Sequence, residues 1–166
     1  VLFTMKSLIA TILPALLMLV ACSSAPASVT GGGIKLQDGL AREVTLDKPA
    51  ARIVSLSPSV TEILFAVGAG SQVVGRDSFS NYPADAAAIP DVGGSMGSYS
   101  FETIASLEPD LVIAAEINTP EQVSALEGLG VKVYYLSNPT DLDGIYTMLQ
   151  TVGTLSGHVD EAAALS

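Results

Sequence analysis

Tryptophan is absent from this chain, and cysteine and histidine occur once each, as Cys22 and His158. A single cysteine excludes any internal disulfide. A single histidine leaves no ligand-spaced partner for a metal and no Ser/His/Asp set, so His158 in LSGHVDEA reads as a surface residue. GxSxG, P-loop and GxGxxG motifs are missing too. The carboxylate pairs Asp141/Asp143 and Asp160/Glu161 stand at helix starts, where negative charge is favourable, and need no catalytic role. These absences point away from an enzyme. Basic residues are also scarce: 7 Lys and Arg against 17 Asp and Glu give a formal net charge of −10. Nucleic acid, which requires basic patches, is therefore disfavoured as a partner.

Apolar residues make up 49% of the 166, enough for one domain with a core, but part of that excess is local. Met5-Lys6 opens a short basic stretch, and Ser7 to Ala21 is almost uninterrupted apolar sequence broken by Pro14. The run is shorter than the roughly 20 residues of a membrane span. Its order, basic then apolar, is that of a secretory signal. Val1 to Thr4 precede it and fit neither signal nor fold. Leu19-Val20-Ala21-Cys22 resembles the bacterial lipobox, which implies that Cys22 becomes the lipid-bearing first residue of the mature chain. More than one acyl chain on that residue suffices for stable anchoring. SSAPASVTGGG then cannot form a core and reads as a flexible tether.

From Ile34 the pattern is globular. IKLQDGLAREVTL alternates around the turn signal Asp38-Gly39. RIVSL reads as a buried strand, and SPSVTEILFAVGAG as a helix with Ser59 and Glu62 at capping-box spacing and Gly68 at its stop. Val73-Val74-Gly75 is a second strand. FETIASLE forms a helix capped by Ser100 and stopped by Pro109, LVIA a strand, and EQVSALEGLG a helix opened by Thr119-Pro120. VKVYYL is a strand, and Asp141 opens a longer helix to about Leu155. Strands alternating with helices predict a Rossmann-like parallel sheet with helices on both faces, whose ligands bind beyond the carboxyl ends of the strands. The connection from Arg76 to Ser100 is long for a compact α/β domain. Within it, SFSNYP carries Phe79 and Tyr82 outside any core period, which places them to line something beyond the sheet edge. Gly93-Gly94-Ser95-Met96-Gly97 is a turn that admits close backbone approach to a ligand or serves as a plain flexible turn.

RIVSLSPSVTEILFAVGAG, VVGRDSFSNYP, IPDVGG, SFETIASLEPDLVIA and LGVKVYYL, in that order, resemble the iron-complex and vitamin B12 substrate-binding proteins of ABC importers, from residue 34 to 166. The resemblance implies the amino-terminal lobe of a two-lobe binding protein joined by a long helix. It divides the chain into a signal at 1–21, a tether at 22–33, a lobe at 34–155 and the start of the interlobe helix at 156–166. SFSNYP followed by IPDVGG is most similar to cobalamin-binding members. Phe79 is then the residue stacked on a corrin, with Tyr82 supporting the loop or touching the ligand. Cobalamin-binding members can carry a tryptophan in the next part of the loop. Here Met96 or Tyr99 takes that place. A cobalt corrinoid is the implied ligand, with haem or a ferric siderophore as alternatives, and no separate cofactor or resident metal. Glu102 in SFETIASLEPD matches a glutamate that pairs with permease arginines. The implied partners are an ABC permease with its ATPase and the membrane, with the binding protein a monomer outside the cytoplasm. The competing class is a secreted α/β enzyme with its catalytic groups elsewhere.

The lipobox resemblance is tested in cells fed radioactive palmitate. Cys22→Ser is expected to leave an unprocessed, unlabelled precursor, and a labelled Ser variant would refute the anchor.

Overall fold

The computed structural model describes residues 33–94 and 97–166. The signal segment with Cys22, most of the tether, and Met96 lie outside the described residues.

A hairpin of β1 (Ile34–Gln37) and β2 (Glu43–Leu46) precedes a four-stranded parallel sheet of β3 (Ile53–Ser55), β4 (Val73–Arg76), β5 (Leu111–Ala115) and β6 (Val133–Leu136), in spatial order β4-β3-β5-β6. Helices α1 (Pro58–Ala66), α2 (Phe101–Ser106), α3 (Pro120–Gly128) and α4 (Leu142–Ser156) follow strands β3, β4, β5 and β6, and α5 (Val159–Ala164) closes the described chain. Among the described residues no helix is long and apolar enough to cross a membrane.

Alternation along the strands builds a core on each face of the sheet. Ile53, Leu111, Ile113, Tyr134 and Leu136 pack with Val60 and Leu64 of α1, Val152 and Leu155 of α4, and the hairpin's Val44 and Leu46. Their neighbours Val54, Val112, Ala114, Val133 and Tyr135 pack on the opposite face with Ile104 of α2 and Val123 and Leu126 of α3. The strands therefore read as continuous apolar runs.

The helix ends follow the sequence signals with one correction. Ser57, not Ser59, caps α1: it is extended at φ −155° and ψ 154°, and its side chain accepts from the Val60 amide at 3.3 Å. Pro58 forces this choice, because the residue before a proline is driven out of helical geometry and Pro58 then occupies the first helical position. Ser100 caps α2 through the Thr103 amide, Thr119 and Gln122 close a capping box on α3, and Asp141 caps α4 through the Gly144 amide. Gly157, left-handed at φ 83°, stops α4 between Ser156 and the short α5.

The edge of β6 is covered by the hairpin's turn rather than left open. Gly39 donates its amide to Tyr135 O at 2.8 Å, and the Tyr135 amide donates to Asp38 Oδ2 at 3.2 Å. Arg42 Nη2 donates to Val133 O at 3.3 Å. The Asp38 carboxylate thus substitutes for a strand's acceptor. It also accepts from the Leu40 and Arg42 amides and pairs with the Arg42 guanidinium. A Cβ at Gly39 would collide with Ser137 Oγ and stand about 3.0 Å from the Tyr135 ring. Burial pushes the Asp38 carboxyl up, but the bonds from Arg42, Tyr135 and Leu40 outweigh it and hold it below the usual carboxylate range.

Asp38→Ala strands Arg42 and the Tyr135 amide and is expected to cost roughly 2–4 kcal/mol at neutral pH. A lowered folded-state pKa means that the stabilisation is present above the unfolded value and is lost as pH falls through the folded one. Denaturant titrations of the two proteins should therefore converge in strong acid. A constant gap from neutral pH downward would refute the role of the carboxylate.

Candidate functional site

The sheet begins in its interior. β3 comes first, β4 joins on one side, and the chain then crosses back to place β5 on the other. The helices that follow β3 and β5 consequently leave toward opposite faces, α1 into one core and α3 into the other. Between those strands the carboxyl edge opens a crevice, the place where open α/β sheets bind ligands. The loops after β3, β4, β5 and β6 all lie on this edge.

Tyr99 fills the crevice. Its hydroxyl donates to Leu56 O, just after β3, at 2.9 Å and accepts from Asn118 Nδ2, just after β5, at 2.8 Å. The ring is half-buried against the second core, and burial is the main reason its hydroxyl is pushed above the usual range, against the Asn118 bond. Asn118 is itself buried, and its Oδ1 accepts from the Ala115 amide at 2.8 Å. Tyr99 therefore ties three loops together.

Phe79 and Tyr82 are placed differently. They are 57% and 66% exposed, and neither joins a core. Polar groups beneath them hold the loop. Asp77, buried, receives the Phe79 amide on Oδ2 at 3.0 Å, an Asx turn that sets the backbone at Phe79. Its other oxygen accepts from the Ser80 hydroxyl, and Thr61 Oγ1 lies 2.8 Å from both Ser80 Oγ and Ser55 Oγ. The Asp77 amide donates to Ser55 O at 3.1 Å, fastening the loop to the end of β3. On the outer side, Asp91 accepts from the Gly93 amide at 2.7 Å and the Ser78 hydroxyl at 2.9 Å and faces Arg76. The Gly93 amide first, then Ser78 and Arg76, hold its carboxyl below the usual range. The Ser78 amide donates to Gly93 O at 2.7 Å, and Gly93 bridges to Tyr99. Phe79 and the half-buried Tyr99 thus belong to one bonded unit.

Glu102 is exposed in the first turn of α2, behind its Ser100 cap. On the same edge Leu142, at the start of α4, is 69% exposed, and Ile117, 68% exposed in the loop after β5, escapes a reading by periodicity. Its signal is only an apolar residue inside the polar turn EINTP. The Glu116 carboxylate beside it accepts from the amide and side chain of Asn138, joining the loops after β5 and β6. A concave patch of about 360 Å³ lies at the end of β6, between the hairpin and α4, and includes Asp38, Tyr135, Ser137 and Met148 but neither Phe79 nor Tyr82. Among the described residues no group of three or more His, Cys, Asp or Glu is placed to hold a metal ion.

Comparison with known proteins supplies the family. A vitamin B12-binding protein of Yersinia pestis is 36% identical over 121 residues, covering 72% of this chain and 42% of the relative. A periplasmic haem-binding protein from Pseudomonas aeruginosa superposes with a TM-score of 0.64 at 33% identity, over 69% of this chain and 41% of its own. The periplasmic vitamin B12 binding protein of Vibrio cholerae gives a TM-score of 0.63 at 32% identity, over 70% and 45%. The chain spans less than half the length of these relatives. Residues 53–166 match the periplasmic binding protein family, to which this chain belongs, and its described residues form the amino-terminal lobe of that fold.

Proposed function

We propose that this chain is the amino-terminal lobe of a lipid-anchored solute-binding component of an ABC importer, and that it receives cobalamin at the carboxyl edge of its sheet for delivery to the permease. The observation that carries the reading is the pair of exposed aromatics, Phe79 and Tyr82, on a loop braced from below by Asp77 and Thr61. Other apolar residues are exposed singly, but Phe79 is held in water by a buried carboxylate that fixes its backbone, a support that folding alone does not require. A ligand with a flat ring provides a reason for it, because its ring surface packs against the aromatic face and the loop needs little ordering on binding. Similarity to vitamin B12-binding relatives supports the corrin as that ligand. The haem-binding neighbour supports haem as the second reading, on the same edge. Residues 156–166 then lead into the helix that joins this lobe to a second one.

The absorption spectrum of the purified protein with bound ligand separates a corrin from haem or a ferric chelate. Phe79→Ala is expected to weaken binding of cyanocobalamin by the burial energy of an aromatic face, about 1.5–3 kcal/mol or roughly 10–150-fold, with the unliganded melting temperature unchanged. A large loss of melting temperature with unchanged affinity would make Phe79 an ordinary packing residue.

Glu102 supplies the docking contact in this reading. A solvent-facing carboxylate at a helix start gains at most about 1 kcal/mol from the helix dipole, so its removal is cheap for the fold. Glu102→Ala should bind ligand normally but transport it slowly with reconstituted permease, and an arginine-to-glutamate change on the permease should partly restore a Glu102→Arg variant. Equal uptake rates at subsaturating binding protein would eliminate the docking role.

A further inference from the structure

We infer that Thr61 is a positioning residue, the group through which helix α1 sets the orientation of Phe79. The inference rests on the reading of Phe79 as a ligand-facing residue and adds the side chain that fixes it. Thr61 is fully buried on α1, as are Val60 and Leu64. A valine of nearly the same shape would fill that place with no hydroxyl to satisfy, and a buried hydroxyl is costly unless it is bonded.

The direction of this hydroxyl sets it apart. Helical serines and threonines can return their hydroxyl to the carbonyl four residues back. Ser124, Thr147, Thr154 and Ser156 do so, bonding Pro120 O, Asp143 O, Gln150 O and Val152 O at 2.7–2.9 Å. For Thr61 the equivalent carbonyl is Ser57 O, which is taken by the Thr61 amide and the Ser55 hydroxyl. Thr61 Oγ1 instead leaves the helix. It lies 2.8 Å from Ser55 Oγ, at the end of β3, and 2.8 Å from Ser80 Oγ, in the loop after β4.

From Ser80 two more bonds reach Phe79. The Ser80 hydroxyl donates to one oxygen of Asp77, and the other oxygen accepts from the Phe79 amide at 3.0 Å. Ser55, Thr61, Ser80 and Asp77 are all buried, so water does not compete for these bonds. A turn of the Asp77 carboxylate would carry the Phe79 amide with it. Ser80 opposes that turn, and Thr61 fixes Ser80 from a helix packed into the first core. Without the Thr61 hydroxyl both neighbours keep another partner, Ser57 O for Ser55 and Asp77 for Ser80. The fold then loses little, while the aromatic loop loses its side-chain tie to α1. Being buried, Thr61 acts on a ligand through Phe79 and not by contact.

Two measurements on wild type, Thr61→Val and Thr61→Ser test the role. The first needs no ligand. Amide hydrogen exchange read by NMR is expected to be roughly 3- to 10-fold faster at Phe79 in Thr61→Val, unchanged at the β5 amides, and restored in Thr61→Ser. The second is titration of this chain with cyanocobalamin and with haemin, in a double-mutant cycle with Phe79→Ala. For whichever probe the wild type takes up, Thr61→Val is expected to weaken binding by roughly 3- to 10-fold, and to add nothing once Phe79 is alanine. If Thr61→Val does not fold, Ser80→Ala cuts the same chain of bonds from the loop side and carries the same expectations. Unchanged exchange at Phe79, or an acceleration shared by the β5 amides, overturns the positioning role and leaves the ligand reading standing. Equal affinity for wild type and Thr61→Val, or a loss that persists in full on top of Phe79→Ala, overturns it too. Uptake of neither probe by the wild type overturns the ligand reading, whatever the exchange shows.

Discussion

A parallel sheet that starts from an interior strand must send its helices to opposite faces, and where they part the chain leaves backbone groups without partners. In this protein that place lies between β3 and β5, and the group is the buried Leu56 carbonyl. A buried carbonyl without a donor costs about 1–3 kcal/mol. Tyr99 removes the problem with a hydroxyl that serves Leu56 and Asn118 together, while its ring seals the gap from water. Tyr99 belongs to the return limb of the long loop, so closing the crevice also fixes that limb. Through Gly93 and Ser78 it fixes the outgoing limb as well. The geometry of the edge follows from that one side chain.

The turn that carries Phe79 is held by polar bonds, not by burial of its aromatic side chain. Leaving Phe79 in water forgoes roughly 1.5–3 kcal/mol of burial. The fold offsets this with Asp77, which is buried but accepts from the Phe79 amide and the Ser80 hydroxyl. Hydrogen bonds to a charged group are worth about 1.5–3 kcal/mol each, so the exchange is near neutral for folding. It is not neutral for recognition. Apolar area left exposed on an ordered support is removed from water only when a partner arrives, and little loop entropy is lost at that moment.

The sheet and its helices were legible because their signals are local. RIVSL, LVIA and VKVYYL are apolar runs long enough for strands with both faces covered, and Ser100, Thr119 and Asp141 are caps whose side chains bond within the next turn. Ser57 was hidden by Ser59 and Glu62, which have the right spacing. Only the steric effect of Pro58 on its predecessor decides between them. Phe79 and Tyr82 could be read as loop residues from their polar surroundings. Asp38 as the cover of β6, Tyr99 as a plug and Asn118 as its partner could not. Each acts across a gap of 19 to 97 residues that no periodicity encodes.

The same distances bear on ligand chemistry. Haem iron is held in proteins by histidine, cysteine, methionine or tyrosine. The chain's single histidine stands at the far end of the molecule. α4 runs from the carboxyl edge to the strand starts, where Leu155 O takes the Ala50 amide and Ser156 O takes the Gln72 side chain, and His158 follows there beside Glu161. Among the described residues exposed on the loop after β4, the group able to ligate iron is the phenol of Tyr82. In the haem reading, that phenol is the group this loop would turn toward the iron. In the corrin reading, Phe79 offers the ring an apolar face. In the proposed reading, what this lobe offers a ring ligand is therefore exposed aromatic surface on a hydrogen-bonded loop rather than a cluster of metal ligands.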